Sequence, residues 1–297
     1  MHEQFDPFDL GNDSAFAVWK KEKIDTHSAM QHLPVVRISN LAVPSDRERA
    51  ELARRCRAVN FALYEAGDDT RHDTRGNLRG FCDALGLKIA EKHRSAGEGG
   101  IVALSPTDDP DKKGFIPYSQ KALNWHTDGY YNPPGEEIRA MALHCVRPAA
   151  DGGENQLLDP DIAYIRLRDI NPRYIEALSH PSAMTIPAYE DTKGETRAAS
   201  TGPVFLRSDE GALTMRYTAR TRSIHWRDDP MTRKAAQELI DLLCSDEPCI
   251  ARVKLAAGQG VLCNNVLHNR TGFDAKLATQ SDRLLFRIRF HNRVKEN

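Results

Sequence analysis

The sequence predicts a mainly β chain with flanking helices, built as a double-stranded β-helix, or jelly roll. Two observations lead there. From residue 101 onward, many short apolar segments alternate with turn signals at irregular spacing, and only a few helical stretches interrupt them. No glycine-rich turn joins a strand to a helix, so neither a P-loop nor a dinucleotide-binding fingerprint is present. A single domain over residues 1–297 is expected, with a largely helical part at 1–100 packing on a jelly-roll core at 101–297.

Val35 to Ile38 reads as a short strand. Ser45 and Glu48 form a capping box, and behind it Leu52, Cys56, Val59 and Leu63 recur at helical spacing. Phe81 to Ile89 reads as a further helical turn or two, and Gly97 to Gly100 breaks the pattern. Ile101 to Leu104 and Ile138 to Val146 read as strands, separated by a polar loop around Asp108 to Gly114. Ile162 to Leu167 and Pro172 to Leu178 read as short helices. Thr185 to Ala188, Val204 to Leu206 and Ala212 to Tyr217 are strand candidates. Asp229 caps a helix that Pro230 opens, with Ala236, Ile240 and Leu243 on its buried face. Ile250 to Leu255, Val261 to Asn264 and Leu284 to Phe290 close the chain as strands.

Composition narrows the function classes. The chain carries 41 Lys and Arg against 42 Asp and Glu, a net charge of −1, so no nucleic-acid partner is expected. No apolar run is long enough to span a bilayer, and the first residues lack a basic region followed by an apolar core. Six scattered cysteines with no Cys-x-x-Cys pair argue for reduced thiols rather than a zinc ribbon or a disulfide framework. A cytoplasmic protein acting on a small molecule is expected, without a membrane partner and with self-association open to it.

The chemistry concentrates in Leu123-Asn124-Trp125-His126-Thr127-Asp128-Gly129. In an extended segment His126 and Asp128 point to the same face, because side chains alternate with period two. A second imidazole would complete a two-histidine, one-carboxylate triad of the kind that leaves positions open on Fe(II). Among the eleven histidines, His268 is the best candidate. It lies at the polar end of an apolar strand, after the turn Ala257-Gly258-Gln259-Gly260. His144 sits within a strand and reads as a core histidine. His225 to Asp228 reads as a loop entering the next helix.

In Arg283 to Phe290, Leu284, Phe286, Ile288 and Phe290 share one face, and Arg283, Arg287 and Arg289 the other. If the arginines face a lumen they need an anion, because an unpaired buried charge is prohibitive. A dicarboxylate co-substrate would supply one through a bidentate fork. A solvated strand face is the plain alternative, and it is the expected one for Arg289 near the chain end. Tyr130 and Tyr131, just past the metal segment, are placed at the mouth as substrate contacts. Arg216, Arg220 and Arg222 are further cations that an acidic substrate would meet.

Taken together, these blocks resemble the taurine dioxygenase family of Fe(II)- and 2-oxoglutarate-dependent oxygenases. The resemblance runs from about Asn124 to Arg289. It is carried by Trp125-His126-Thr127-Asp128, Pro133-Pro134, Leu143 to Pro148, Gly152-Gly153-Glu154-Asn155, Ala163-Tyr164, Gly260-Val261-Leu262, Asn264-Asn265 with His268, and Arg283 to Arg287. It implies that His126, Asp128 and His268 bind iron as the catalytic centre, and that Arg283 pairs with the distal carboxylate of 2-oxoglutarate. It implies a substrate-binding role for Arg287. Asn155 stands where the family usually has threonine, and its amide can still donate to the co-substrate. The implied activity is O2-dependent hydroxylation of a small, anionic metabolite, with release of succinate and CO2. Because Asp128 is retained, halogenation is disfavoured. The alternatives are a cupin-like zinc hydrolase, or a jelly roll that binds metal and 2-oxoglutarate without turnover.

Overall fold

The computed structural model describes residues 6–30, 34–66, 74–91, 97–109, 112, 114–190, 196–208, 210–220, 224–274 and 283–295. Two sheets organise it. The larger has six strands in the order Val36–Ile38, Phe61–Ala66, Gln259–Cys263, Ala140–Arg147, Leu284–Phe290 and Val102–Leu104. All its pairings are antiparallel except the first. The smaller has four antiparallel strands in the order Ala251–Val253, Asn155–Leu158, Leu267–Arg270 and Leu123–His126.

Period-two alternation divides each sheet into two faces. Met141, Leu143, Cys145, Val261, Cys263 and Leu285 from the large sheet meet Leu157 from the small one in a shared core. The opposite face of the large sheet (Ala142, Leu262, Phe286, Ile288 and Phe290) packs on the second and third helices. Helix α1 is Asp13–Met30, α2 Asp46–Val59 and α3 Thr74–Ala84. On the small sheet, Trp125, Leu158 and Leu267 point away from the shared core. They pack against α4 (Pro160–Ile170), α5 (Pro172–Leu178) and α6 (Pro230–Cys244).

The predicted capping box holds: Ser45 Oγ accepts from the Glu48 amide, and Glu48 accepts from the Ser45 amide. Asp229 caps α6, accepting from Thr232 N at 2.8 Å. Three expectations differ. Leu63 lies on the strand Phe61–Ala66, because Asn60 leaves α2 in the left-handed region at φ 61°. The helix expected at Phe81 to Ile89 is α3, which stops at Ala84. Gly86, at φ 74°, closes it with the Leu87 amide on Cys82 O and the Gly86 amide on Asp83 O, a Schellman motif. His225–Trp226 is a two-residue strand paired with Met184–Ile186, not a loop. Residues 1–100 also contribute strands Val36–Ile38 and Phe61–Ala66, which extend the large sheet.

Gly260 is required by close approach. It lies between Tyr64 and His144 in register, and a Cβ there would sit 2.3 Å from Tyr64 Cζ and 2.6 Å from the Leu143 carbonyl. The gap lets the Tyr64 hydroxyl reach His144 Nδ1 at 3.2 Å. His144 is thus the expected core histidine, fully buried with its ring stacked near Tyr64. Among the described residues no helix is long and apolar enough to cross a membrane.

Candidate active site

His126 ends the strand Leu123–His126, and His268 lies opposite it in register on the strand Leu267–Arg270. Paired residues of antiparallel strands point to the same face, so both imidazoles enter the space between the sheets, with ring centroids 4.2 Å apart. Asp128 follows two residues beyond His126. One ligand atom from each of the three lies within 4.8 Å of the others, and all three residues are buried.

The hydrogen bonds assign each ligand atom. His126 Nδ1 donates to Asn124 O at 2.8 Å, and His268 Nδ1 donates to Val266 O at 2.9 Å. Each ring is therefore held as the tautomer that leaves Nε2 with a free lone pair. Asp128 Oδ1 accepts from Arg287 Nη1 at 2.8 Å and from Arg289 Nη1 at 3.5 Å. Asp128 Oδ2 is buried with no partner among the described residues. Two imidazole nitrogens and one carboxylate oxygen thus converge without mutual hydrogen bonds, the donor set of a 2-His-1-carboxylate iron site. The residues fit Fe(II).

Electrostatics favour the metal-binding protonation states. Burial pulls His126 down to about 3, and the neighbouring His268 adds to the effect. Burial also lowers His268. For Asp128 burial acts upward, but Arg287 and Arg289 outweigh it and hold the carboxyl well below the usual range. The ligands are neutral, neutral and anionic at pH 7 without competing protons.

Backbone placement of Asp128 depends on Asn265, which occupies the left-handed region at φ 53°. Its Oδ1 accepts from Asp128 N at 2.8 Å, and its Nδ2 donates to Asp128 O at 3.0 Å and to Ile138 O at 2.7 Å. Trp125 packs on the far face of the strand, beneath the ligands.

A second cluster occupies the same inner face. Arg283 and Asn155 line one pocket with Cys145, Gly153 and Lys254. Arg283 lies with its guanidinium carbon 5.0 Å from the Phe273 ring, and Arg270 lies 4.8 Å from the same ring. Both arginines are buried, burial draws both down to about 10, and among the described residues no carboxylate pairs with either. Asn155 Nδ2 is buried without a partner among those residues. Two buried cations and a free amide donor make a seat for a carboxylate.

Arg287 is buried and places Nη1 on Asp128 Oδ1, while its Nε has no partner among the described residues. Arg289 departs from its expected solvated position. It is buried, pairs with Glu91 and Asp128, and donates to the Tyr131 hydroxyl at 3.1 Å. The inward alternation of the strand carries it into the site, and Glu91 supplies the balancing charge. Tyr130 lies edge-on to His126, with centroids 6.3 Å apart, and packs on Tyr131. Arg220 Nη1 donates to the Tyr130 hydroxyl at 3.5 Å. Arg222 lies outside the described residues. Sequence reasoning gave no role to Arg270, Asn265 or Glu91. The position of Arg270, two residues beyond His268 on one strand, was the available signal for the first; Glu91 carried none.

Comparison with known proteins agrees with this geometry. Two curated relatives are uridine-5'-phosphate dioxygenases. One, from Amycolatopsis sp, is 32% identical over 161 residues, 51% of this chain and 55% of that protein. The chain therefore matches only about half the length of that relative. The other, from Streptomyces sp, is 28% identical over 213 residues, 69% of this chain and 73% of that protein. Among solved structures, an asparagine oxygenase in complex with Fe(II), hydroxyasparagine and succinate superposes with a TM-score of 0.60 at 14% identity, covering 82% of this chain and 78% of that one. The non-heme iron oxygenase OrfP in complex with Fe gives 0.56 at 15% identity, covering 89% and 95%. At these identities the likeness is one of fold. The family model described as taurine catabolism dioxygenase TauD, TfdA family matches residues 26–289, most of the chain, and the chain belongs to that family.

Proposed function

We propose that this chain is an Fe(II)- and 2-oxoglutarate-dependent dioxygenase that hydroxylates a small anionic metabolite. The observation that carries the reading is the convergence of two tautomer-fixed histidines with the unpartnered Oδ2 of Asp128. The uridine-5'-phosphate dioxygenase relatives support a nucleoside 5'-phosphate of the uridine type as the substrate class. We read the two facing sheets as the double-stranded β-helix, residues 1–100 as packing on it within one domain, and the protein as cytoplasmic.

Bound iron with 2-oxoglutarate and O2 supplies the oxidising power, one oxygen atom ending in succinate and the other in the hydroxylated product. The chain's own residues do the rest. His126, Asp128 and His268 would hold the metal, leaving its remaining positions to the co-substrates. Arg283 and Arg270 neutralise the distal carboxylate of 2-oxoglutarate, and Asn155 Nδ2 donates to it. Arg287 and Arg289 keep Asp128 anionic and fix which of its oxygens remains free. Arg287 thus acts through Asp128 as a positioning residue. The apolar inner face, with Leu157, Leu143 and Leu285, keeps bulk water from the reacting centre.

The test is succinate formation by the iron-loaded protein in air with 2-oxoglutarate. Uridine 5'-phosphate is compared with uridine, L-asparagine and L-arginine. The proposal predicts substrate-stimulated succinate release with uridine 5'-phosphate and none when iron is replaced by zinc. Hydrolysis of substrate by the zinc form, with no consumption of 2-oxoglutarate by the iron form, would overturn it.

A further inference from the structure

The segment Met215 to Arg220 runs beside the metal strand. Thr127 N donates to Tyr217 O at 3.0 Å, Ala219 N donates to Trp125 O at 2.8 Å, and an antiparallel bridge pairs His126 with Thr218. Thr218 therefore shares the face of His126, and so do Arg216 and Arg220, two residues to either side. Tyr217 and Trp125 alternate to the opposite face, where both join the helix-packed core. The ledge that starts at His268 and passes through His126 thus continues to Thr218, flanked by two arginines.

A third cation, Arg197, reaches the same place. Its Nη1 donates to Tyr131 O at 3.4 Å, its Nη2 to Pro187 O at 2.8 Å, and its guanidinium lies 5.7 Å from the Tyr131 ring centroid. Arg216 spends its terminal nitrogens on carbonyls, Met184 O at 3.0 Å and Ser200 O at 2.7 Å. Its Nε is buried without a partner among the described residues. No carboxylate pairs with Arg197, Arg216 or Arg220 among those residues. Burial first, and then repulsion from Arg197, lower Arg216 to about 10. Three guanidinium groups beside the metal ledge, with carbonyl contacts but no carboxylate paired to them among the described residues, create a positive potential that an anion relieves.

We propose that Arg220 and Arg197, backed by Arg216, are the seat for the phosphate of a nucleoside 5'-monophosphate, with Tyr130 and Tyr131 between the seat and the metal. This assignment rests on the anionic-substrate reading above and adds the residues that select the anion. Arg220 is exposed and its one hydrogen bond in the site, to the Tyr130 hydroxyl, is long, so its fork is available to phosphate oxygens. Arg197 keeps donor capacity beyond its carbonyl contacts. Arg216 holds the Ser200–Gly202 strand in place and adds charge from behind.

The experiment is calorimetric titration of the protein loaded with Fe(II) and 2-oxoglutarate, without O2, using uridine 5'-phosphate, uridine and inorganic phosphate as separate probes. Wild type is compared with Arg220→Ala, Arg197→Ala and Arg252→Ala, the last an exposed cation remote from the seat. Loss of a charge-assisted contact is expected to weaken uridine 5'-phosphate about tenfold or more in the first two variants. Uridine, 2-oxoglutarate and the Arg252→Ala protein should be unaffected. Wild-type affinity for uridine 5'-phosphate in both seat variants would overturn the seat and leave the substrate reading standing. If wild type fails to bind uridine 5'-phosphate, the nucleotide reading fails and inorganic phosphate decides the seat. Phosphate binding that Arg220→Ala abolishes supports it, and no phosphate binding to wild type overturns it.

Discussion

Replacing Asn265 by alanine removes the clamp on Asp128. The side chain makes three buried hydrogen bonds, to Asp128 N, Asp128 O and Ile138 O. At a net value of about 1 kcal/mol each, the loss is about 3 kcal/mol. Alanine at φ 53° adds roughly 1 kcal/mol of backbone strain. Glycine relieves that strain but costs roughly 0.5–1 kcal/mol of chain entropy, so both variants should fall by a similar amount. For a chain of this size each kcal/mol moves the midpoint by about 1.5–2 °C, so a fall of roughly 6–8 °C is expected. Because the lost bonds orient a metal ligand, Fe(II) affinity should also drop by about 10–100-fold. Thermal melting and anaerobic competition with a chelator measure the two effects. Asn269→Ala is the control: Asn269 lies next to His268 but bonds only with Gln156, so it should lose stability without losing iron affinity. Equal iron affinity in Asn265→Ala and wild type, or equal losses in both asparagine variants, would refute the reasoning.

Three further outcomes follow from the geometry. Gly260→Ala forces a Cβ against the Tyr64 ring and the Leu143 carbonyl, and overpacking should cost about 1–3 kcal/mol in denaturant unfolding. Asp159→Ala leaves Lys23 buried beside Asp161 without its second carboxylate and removes the partner of His27 at 2.9 Å. A loss of about 3–5 kcal/mol is expected by the same assay, whereas a loss under 1 kcal/mol would show that the network is dispensable. His144 is pulled down to about 4 by burial. The unfolded chain therefore binds a proton below about pH 6.5 that the folded chain refuses. Stability attributable to His144 is full above that pH and is lost as pH falls toward 4, by up to about 1.4 kcal/mol per unit. His144→Gln should flatten the stability profile between pH 6.5 and 4.5 by that increment, and an unchanged slope would count against it.

Much of the candidate metal site was legible because it follows strand periodicity. His126 and Asp128 stand two apart, and Arg283, Arg287 and Arg289 alternate with Leu284, Phe286 and Ile288, so their common faces can be read without a fold. The pairing of His268 with His126 rested on the resemblance and on the apolar strand before it, since no local rule sets contacts between distant strands. What stayed hidden was long-range pairing of charge. Arg289 is drawn inward by Glu91, a residue with no distinguishing neighbourhood in the chain. Arg287 turns to Asp128 rather than to the mouth because that carboxylate lies 2.8 Å away, which only the folded arrangement shows. Element ends were missed where a single left-handed residue decides them, as at Asn60 and Gly86. The strand Val36–Ile38 was legible, but Phe61–Ala66 was missed because it lies directly behind a strong helical pattern and inherits its spacing.

The central claim, that His126, Asp128 and His268 hold iron while Arg283 holds 2-oxoglutarate, is tested most directly by anaerobic titration of the apo-protein. Fe(II) and then 2-oxoglutarate are added while the weak visible metal-to-ligand charge-transfer band is followed, in wild type, His126→Ala and Arg283→Ala. The account predicts a saturable band in wild type, none in His126→Ala, and a band in Arg283→Ala that needs at least tenfold more 2-oxoglutarate. A folded wild-type protein that shows no band at saturating iron and 2-oxoglutarate, or an Arg283→Ala titration superimposable on wild type, would contradict it.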